Sequence, residues 1–358
     1  MSGPIASGPI AHSRPAMGEE EAEAAARIVR SGLLAQGREV ELLEKEMASF
    51  TGRRFAVAVS SGTAALHLGL LALGVGPGDR VAIPSYVCTA LLHAVWAVGA
   101  EPVLCDIDPH SRNIDAGLLA ALAAIEPLRA AIIPHLFGLP VPTEAFDALG
   151  IPYIEDCAMS IGAQHAGRPL GSHGALSICS FYATKMLGAG EGGMVLTDDE
   201  DIALTARGLR EYDGAPAHRL RFNAKMTDLH AAVGRVQLHR LPDFVSRRRE
   251  LADLYQQEFI SFSNIKTPLV NSEHIYYRYV LKVVSTAEAF IERLESLGVA
   301  ARRPVYNPLH RELGLADGDY PHTTAAYKCD VSIPIYPALS DCEAHSVLAA
   351  VRNAALAQ

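Results

Sequence analysis

The sequence predicts an α/β protein: a large lobe on a mainly parallel, seven-stranded sheet, and a smaller α+β lobe at the C-terminal end. Three observations lead there. The chain has 358 residues, more than the roughly 250–300 at which a single hydrophobic core stops growing. Between Phe55 and Thr197, short apolar runs alternate with Ala- and Leu-rich stretches, as in strands joined by helical crossovers and covered on both faces. From Tyr276 a strand–helix pattern begins again, as a second lobe would.

In chain order, residues 1–15 are rich in Gly, Pro and Ser without periodicity and read as an arm. Residues 16–245 are assigned to the large lobe and 246–358 to the small one. Helical spacing runs over 18–50 with a break at Ser31–Gly37. The seven expected strands are 55–59, 80–84, 102–106, 130–134, 153–156, 175–181 and 192–197. Helices at 63–74, 86–99, 115–125 and 143–149 separate the first five. No helix of normal length joins the last two, which allows an antiparallel member there. Residues 225–260 read as a charged helix, with Arg247, Arg248 and Arg249 on a solvated face. The small lobe is expected to contain strands at 276–284 and 299–305, helix 286–296, a Pro- and His-rich loop, SIPIYP, and a last helix near 340–353.

Composition narrows the function. A net charge of −9 leaves no basic surplus for nucleic acid or an anionic membrane. No apolar run reaches the roughly 18 residues of a membrane span, and the first residues lack a signal-peptide pattern, so a cytoplasmic location is expected. The six cysteines, at 88, 105, 157, 179, 329 and 342, form no Cys-x-x-Cys pair. No metal site is expected, and those in apolar stretches read as small hydrophobes.

Three places carry chemistry. Ser60-Ser61-Gly62-Thr63 joins a strand to a helix, where free N–H groups either cradle a phosphate or are simply capped by a hydroxyl. Asp156 ends an apolar strand at the sheet edge where ligands bind in open α/β folds; it can hold a protonated pyridine nitrogen or be an ordinary loop acid. Lys185 follows the strand ending in Ser180-Phe181 and precedes a glycine-rich run, 188–193, read as flexible. An amine beside a buried sheet loses hydration and becomes nucleophilic toward a carbonyl, although a surface lysine beside a turn has the same local sequence. In this order, anchor, acid and amine meet the requirements of a pyridoxal-phosphate site.

The blocks VAVSSGTAALHLGL, GDRVAIPSY, GAEPVLCDID, IEDCAMSIGA, SFYATK, GEGGMV, MTDLHAAVGRVQL and SIPIYPAL together resemble the DegT-type (StrS-like) sugar aminotransferases of fold type I. The resemblance runs from about Ser13 to Leu348. It implies pyridoxal 5'-phosphate as cofactor, Lys185 as Schiff-base lysine and proton carrier, Asp156 on the pyridine nitrogen, and Gly62, Thr63 and Ser180 around the phosphate. It further implies a homodimer with shared active sites, Asn223 reaching the neighbouring subunit's phosphate, and transfer of an amino group from glutamate or glutamine to a keto-sugar, usually nucleotide-linked.

Three departures stand out. Met159 occupies the place of a Gln that supports the ring oxygen in the family. Cys88 falls where an aromatic residue stacks on the ring, with Tyr86 as a possible substitute. Arg221 and Lys225 replace a Gly and an Arg around Asn223. His135 and His310, in loops, are candidates for the sugar pocket or are satisfied by local groups. The alternatives are a regulatory or binding protein on the same fold and a deoxysugar dehydratase, in which the family replaces the lysine by His. A dinucleotide-binding protein fails because no Gly-x-Gly-x-x-Gly follows the first strand.

Overall fold

A computed structural model describes residues 9–213 and 220–356; residues 1–8 of the expected arm lie outside them. The strands are β1 (Phe55–Val59), β2 (Arg80–Pro84), β3 (Glu101–Cys105), β4 (Ala130–Pro134), β5 (Tyr153–Asp156), the short β6 (Gln164–His165) and β7 (Arg168–Pro169), β8 (Leu176–Ser180), β9 (Gly193–Thr197), β10 (Ile265–Lys266), β11 (Tyr279–Val283) and β12 (Asp330–Ile333). The helices are α1 (Glu19–Ser31), α2 (Arg38–Thr51), α3 (Gly62–Ala72), α4 (Ala90–Ala97), α5 (Ala116–Ala123), α6 (Thr143–Asp147), α7 (Glu200–Arg210), α8 (Asp228–Phe259), α9 (Ala287–Ser296), α10 (Leu309–Glu312), α11 (Pro321–Cys329) and α12 (Asp341–Leu356).

The seven expected strands form one sheet in the order β1-β9-β8-β5-β4-β2-β3. Neighbours from β8 across to β3 are parallel; β9 runs antiparallel to both β8 and β1. Helices cover both faces, so residues of both parities are apolar and buried, as along Ala56, Val57, Ala58 and Val59. Register aligns the strand ends: Pro134 lies opposite Asp156, and Ser180 and Val59 both lie opposite Gly193. One sheet edge therefore gathers the Ser60–Thr63 turn, Asp156 and the start of the Lys185 loop.

Helix α8 links the lobes. Its first half packs Leu238, Leu241 and Val245 into the large-lobe core, and its second half packs Leu251, Tyr255 and Phe259 into the small-lobe core. At its start, Asp228 accepts N–H bonds from Gly37, Glu39 and Val40 at 2.8, 3.2 and 3.1 Å, capping α2 from a distance. The arginine triplet is not a solvated face. Arg248 is buried and donates to the carbonyls of Tyr276, Tyr277 and Ile335, and burial pulls its pKa down to about 10. Arg247 pairs with Glu250 and Asp341, and Arg249 donates to His274 O.

In the small lobe, β10, β11 and β12 form an antiparallel sheet in that order. The expected strand at 299–305 is not one: it makes only isolated bridges, Val299 with Ile10 and Arg302 with Ser332. Its partners are single residues of the arm and of β12, too few for a ladder. Ile10 donates to Gly298 O and accepts from Ala300 N–H, which ties residues 9–15 to this lobe. The Pro- and His-rich loop contains α10 and α11.

Candidate active site

Ser61 caps α3, its Oγ accepting the Ala64 N–H at 3.1 Å. The N–H groups of Gly62 and Thr63 then have no partner among the described residues, and they stand at the positive end of α3. The geometry thus accommodates both a cap and a phosphate cradle. Ser180 closes the other side. A Cβ on Gly62 would lie 2.7 Å from Ser180 Cβ and 3.0 Å from its Oγ, so the absence of a side chain at 62 lets the helix start reach the end of β8.

Asp156 is buried, 6% exposed. Its Oδ1 accepts the Ala158 N–H at 2.9 Å, and its Oδ2 has no hydrogen bond among the described residues. Burial pushes the carboxyl up from its ordinary range, against the opposing pull of that N–H and of the Lys185 charge. A protonated pyridine nitrogen placed there would supply the missing partner and favour the anion.

Lys185 sits on a pinned loop rather than a flexible one. Phe181, Ala183 and Ala189 N–H groups donate to Gly192, Gly190 and Phe181 carbonyls, and Lys185 N–H donates to Tyr182 O. Gly192 has φ +143°, and a Cβ there would meet Met226 Cε at 2.9 Å. These contacts fix the loop that carries the amine. Lys185 Nζ lies 5.2 Å from the Tyr277 ring centroid, a cation–π approach. Burial raises the Tyr277 phenol, but Lys185, Arg278, Arg248 and a hydrogen bond with Thr184 outweigh it and bring it below its ordinary value.

Lys185 lines a cleft of about 880 Å³ with Cys88, Met159, Tyr182, Tyr277 and Arg278, among others. Cys88 is exposed to it and feels the charges of both Lys185 and Asp156. Tyr86 does not reach it: the side chain is fully buried, edge-on to Phe137, with Asp330 and Arg112 acting on its phenol. Of the two ring-stacking candidates, only Cys88 faces Lys185.

His135 and His310 are not pocket residues; both are fully buried. His135 Nδ1 accepts the Val141 N–H at 3.0 Å and Nε2 meets Glu155 Oε1 at 3.0 Å. His310 bonds Ser85 Oγ through Nδ1 and Asp317 through Nε2. The ring nitrogens are used by the fold. The grouping of His135, Glu155 and Cys157 is explained in the same way, since Glu155 also accepts from Gly171 and His173 N–H.

Asn223 is exposed beside the cradle, its neighbour Ala224 accepting the Ser60 N–H at 2.8 Å. Arg221 and Lys225, the two departures around it, bond Gly208 O, Glu211 O and the Glu211 carboxylate; they anchor this segment to the end of α7 within the same subunit.

Tyr277, Arg278 and Arg302 also line the cleft and were not singled out in the sequence. The alternation of YYRYVLKVV is the only signal that bears on them, and it does not say which loop of the other lobe they face. Neither Arg278 nor Arg302 makes an ion pair among the described residues.

The profile of the DegT/DnrJ/EryC1/StrS aminotransferase family matches residues 15–352. The chain is 35% identical over 380 aligned positions to the spore coat polysaccharide biosynthesis protein SpsC of Bacillus subtilis, covering 96% of each chain. It is 33% identical to the GDP-perosamine synthase of Caulobacter vibrioides, covering 88% of this chain and 90% of that one. Spr1654 of Streptococcus pneumoniae, solved in its PLP form, superposes with a TM-score of 0.91 at 26% identity, over 98% of this chain and 99% of that one. The chain belongs to the DegT/DnrJ/EryC1/StrS aminotransferase family and is a pyridoxal-phosphate-dependent aminotransferase.

Proposed function

We propose that the enzyme moves an amino group from glutamate or glutamine to a keto-sugar carried on a nucleotide, and works as a homodimer. The observation that carries the reading is Lys185 in a cleft whose wall holds Arg278 and Arg302, neither ion-paired among the described residues, with the buried Asp156 carboxyl close enough to feel the lysine's charge. Two cations facing a substrate cleft suit an acceptor with phosphate groups. The names of the relatives, a polysaccharide biosynthesis protein and a GDP-perosamine synthase, favour a sugar as the group aminated.

Each residue has a part. Lys185 would hold the cofactor through its Nζ, and that Nζ, when free, would take the proton from the donor α-carbon and return it as an acid. Asp156 would keep the pyridine nitrogen protonated. Gly62 and Thr63 N–H groups with Ser180 Oγ would hold the phosphate, and Asn223 would add a donor across the dimer. When bound, pyridoxal phosphate supplies the electron sink that stabilises the developing carbanion. Tyr277 would give the Lys185 ammonium formed by that proton transfer a π face to rest on. Met159 and Cys88, which line the cleft, would offer the ring only weak sulfur donors and acceptors, leaving its oxygen little support from this side.

The test is a two-stage assay. Glutamate and glutamine are offered separately to the holoenzyme, and the aminated enzyme is then challenged with nucleotide-linked keto-sugars and with free keto acids. Amine appearing on a nucleotide-linked sugar is the expected result; turnover with free keto acids alone would contradict the acceptor assignment.

A further inference from the structure

A second cavity lies between the lobes, about 280 Å³ in volume. Strand alternation explains its small-lobe wall: Arg278, Val280 and Lys282 face it, while Tyr279, Leu281 and Val283 face the small-lobe core. Across the sheet, Lys266 on β10 lies directly opposite Lys282 on β11, which lies opposite Asp330 on β12. Like charges directly opposed on neighbouring strands destabilise a sheet.

The one carboxylate in that row is already engaged. Arg112, from the large lobe, holds Asp330 through two bonds of 2.6 and 2.8 Å. Lys282 feels the Asp330 charge, but neither lysine makes an ion pair among the described residues. Arg278 adds a third positive charge, and its buried Nε has no partner among the described residues. Its guanidinium lies over the Tyr277 ring, 5.4 Å from the centroid, and meets His12 at 3.2 Å, which burial and the neighbouring arginines keep neutral, with a pKa of about 3.

The opposite wall is held in a costly conformation. Arg112 and Phe137, which line the cavity, have φ of 66° and 60°, and Tyr276, two residues before Arg278, has 49°. Left-handed non-glycine residues are strained and cluster at ligand clamps.

We infer that this pocket binds a phosphoryl anion between Lys266, Lys282 and Arg278, separately from the cofactor phosphate cradle at Gly62. Arg278 also lines the Lys185 cleft, so the anion has two sources: a phosphate of the acceptor entering from the cleft, or a free phosphate or pyrophosphate. The affinity stands on the pocket's own residues; its use by the acceptor rests on the nucleotide-linked reading above.

The experiment is calorimetric titration of the holoenzyme, its cofactor in place, with inorganic pyrophosphate. The expected result is saturable binding that weakens with salt and falls by about tenfold or more in Lys266→Ala/Lys282→Ala. The visible cofactor band should stay unchanged in that variant. Lys45→Ala/Lys328→Ala removes the same charge elsewhere and should keep the affinity. Nucleoside diphosphates that displace pyrophosphate and bind more tightly assign the site to the acceptor; displacement by orthophosphate without that gain assigns it to the free anion. No binding to the unaltered enzyme, equal binding in the Lys266/Lys282 variant, or an equal loss in the Lys45/Lys328 control would overturn the inference. Failure of the Lys185 reading would instead appear in the cofactor band.

Discussion

At the scale of single residues, the site rests on a few groups whose neighbours define their chemistry. Asp156→Asn keeps the shape and removes the charge, so spectral titration should show pyridoxal phosphate held roughly 10–100-fold more weakly. Without cofactor the sign reverses. Burial raises the Asp156 carboxyl in the folded protein, so its contribution to stability is present below the ordinary value of about 3.9 and lost as pH rises through the raised one. Melting curves of the cofactor-free protein should therefore show no penalty for the Asn variant at neutral pH. Gly62→Ala tests the cradle: its Cβ would press on Ser180 at 2.7 Å, which should cost about 1–3 kcal/mol in denaturant unfolding and weaken cofactor retention. The residues of this edge were legible in the sequence because their types are demanded by local geometry: a hydroxyl and glycine at a strand-to-helix turn, an acid at a strand end. His135 and His310 were not, because a loop histidine reads the same whether it faces a ligand or satisfies the backbone. Only the structure supplies the Val141, Glu155, Ser85 and Asp317 partners.

Elements set how these residues are held. Alternating apolar runs gave all seven strands of the large sheet to within a residue or so at their ends, since a doubly covered sheet has no polar face to blur the pattern. The short pieces, β6, β7, β10 and α10, were missed because two to four residues carry no period. Arg248 shows the same limit: inside a charged helix its burial depends on three carbonyls from other elements. Arg248→Met should destabilise by roughly 3 kcal/mol or more, since it leaves those carbonyls unpaired. His165 on β6 joins Glu144 of α6 and Glu273 at 2.9 and 3.0 Å. Burial lowers its pKa, but the two carboxylates outweigh it and the net shift is upward. This clamp is therefore fully formed below the unfolded value of about 6.5 and is lost as pH rises through the folded one. Thermal melts of His165→Gln between about pH 6 and 8 should show a shallower pH dependence than the unaltered protein.

For the whole molecule, two lobes joined by α8 place the Lys185 cleft and the basic cavity on either side of Arg278. No helix of the described residues is long and apolar enough to cross a membrane. The proposed sharing of active sites between subunits makes a sharp prediction. Lys185→Ala and Asn223→Ala enzymes, each nearly inactive, should regain up to about a quarter of full activity when their subunits are mixed and reassembled, because half the dimers are mixed and each mixed dimer has one intact site. Activity unchanged by mixing would place Asn223 outside its partner's site. The central claim, that Lys185 carries the cofactor and the amine, is tested most directly by the absorbance of the purified protein with pyridoxal phosphate, before and after glutamate, beside Lys185→Ala. The prediction is a band near roughly 400 nm that requires Lys185 and shifts when the donor is added. A band that survives unchanged in Lys185→Ala, or its absence from the unaltered protein, would contradict it.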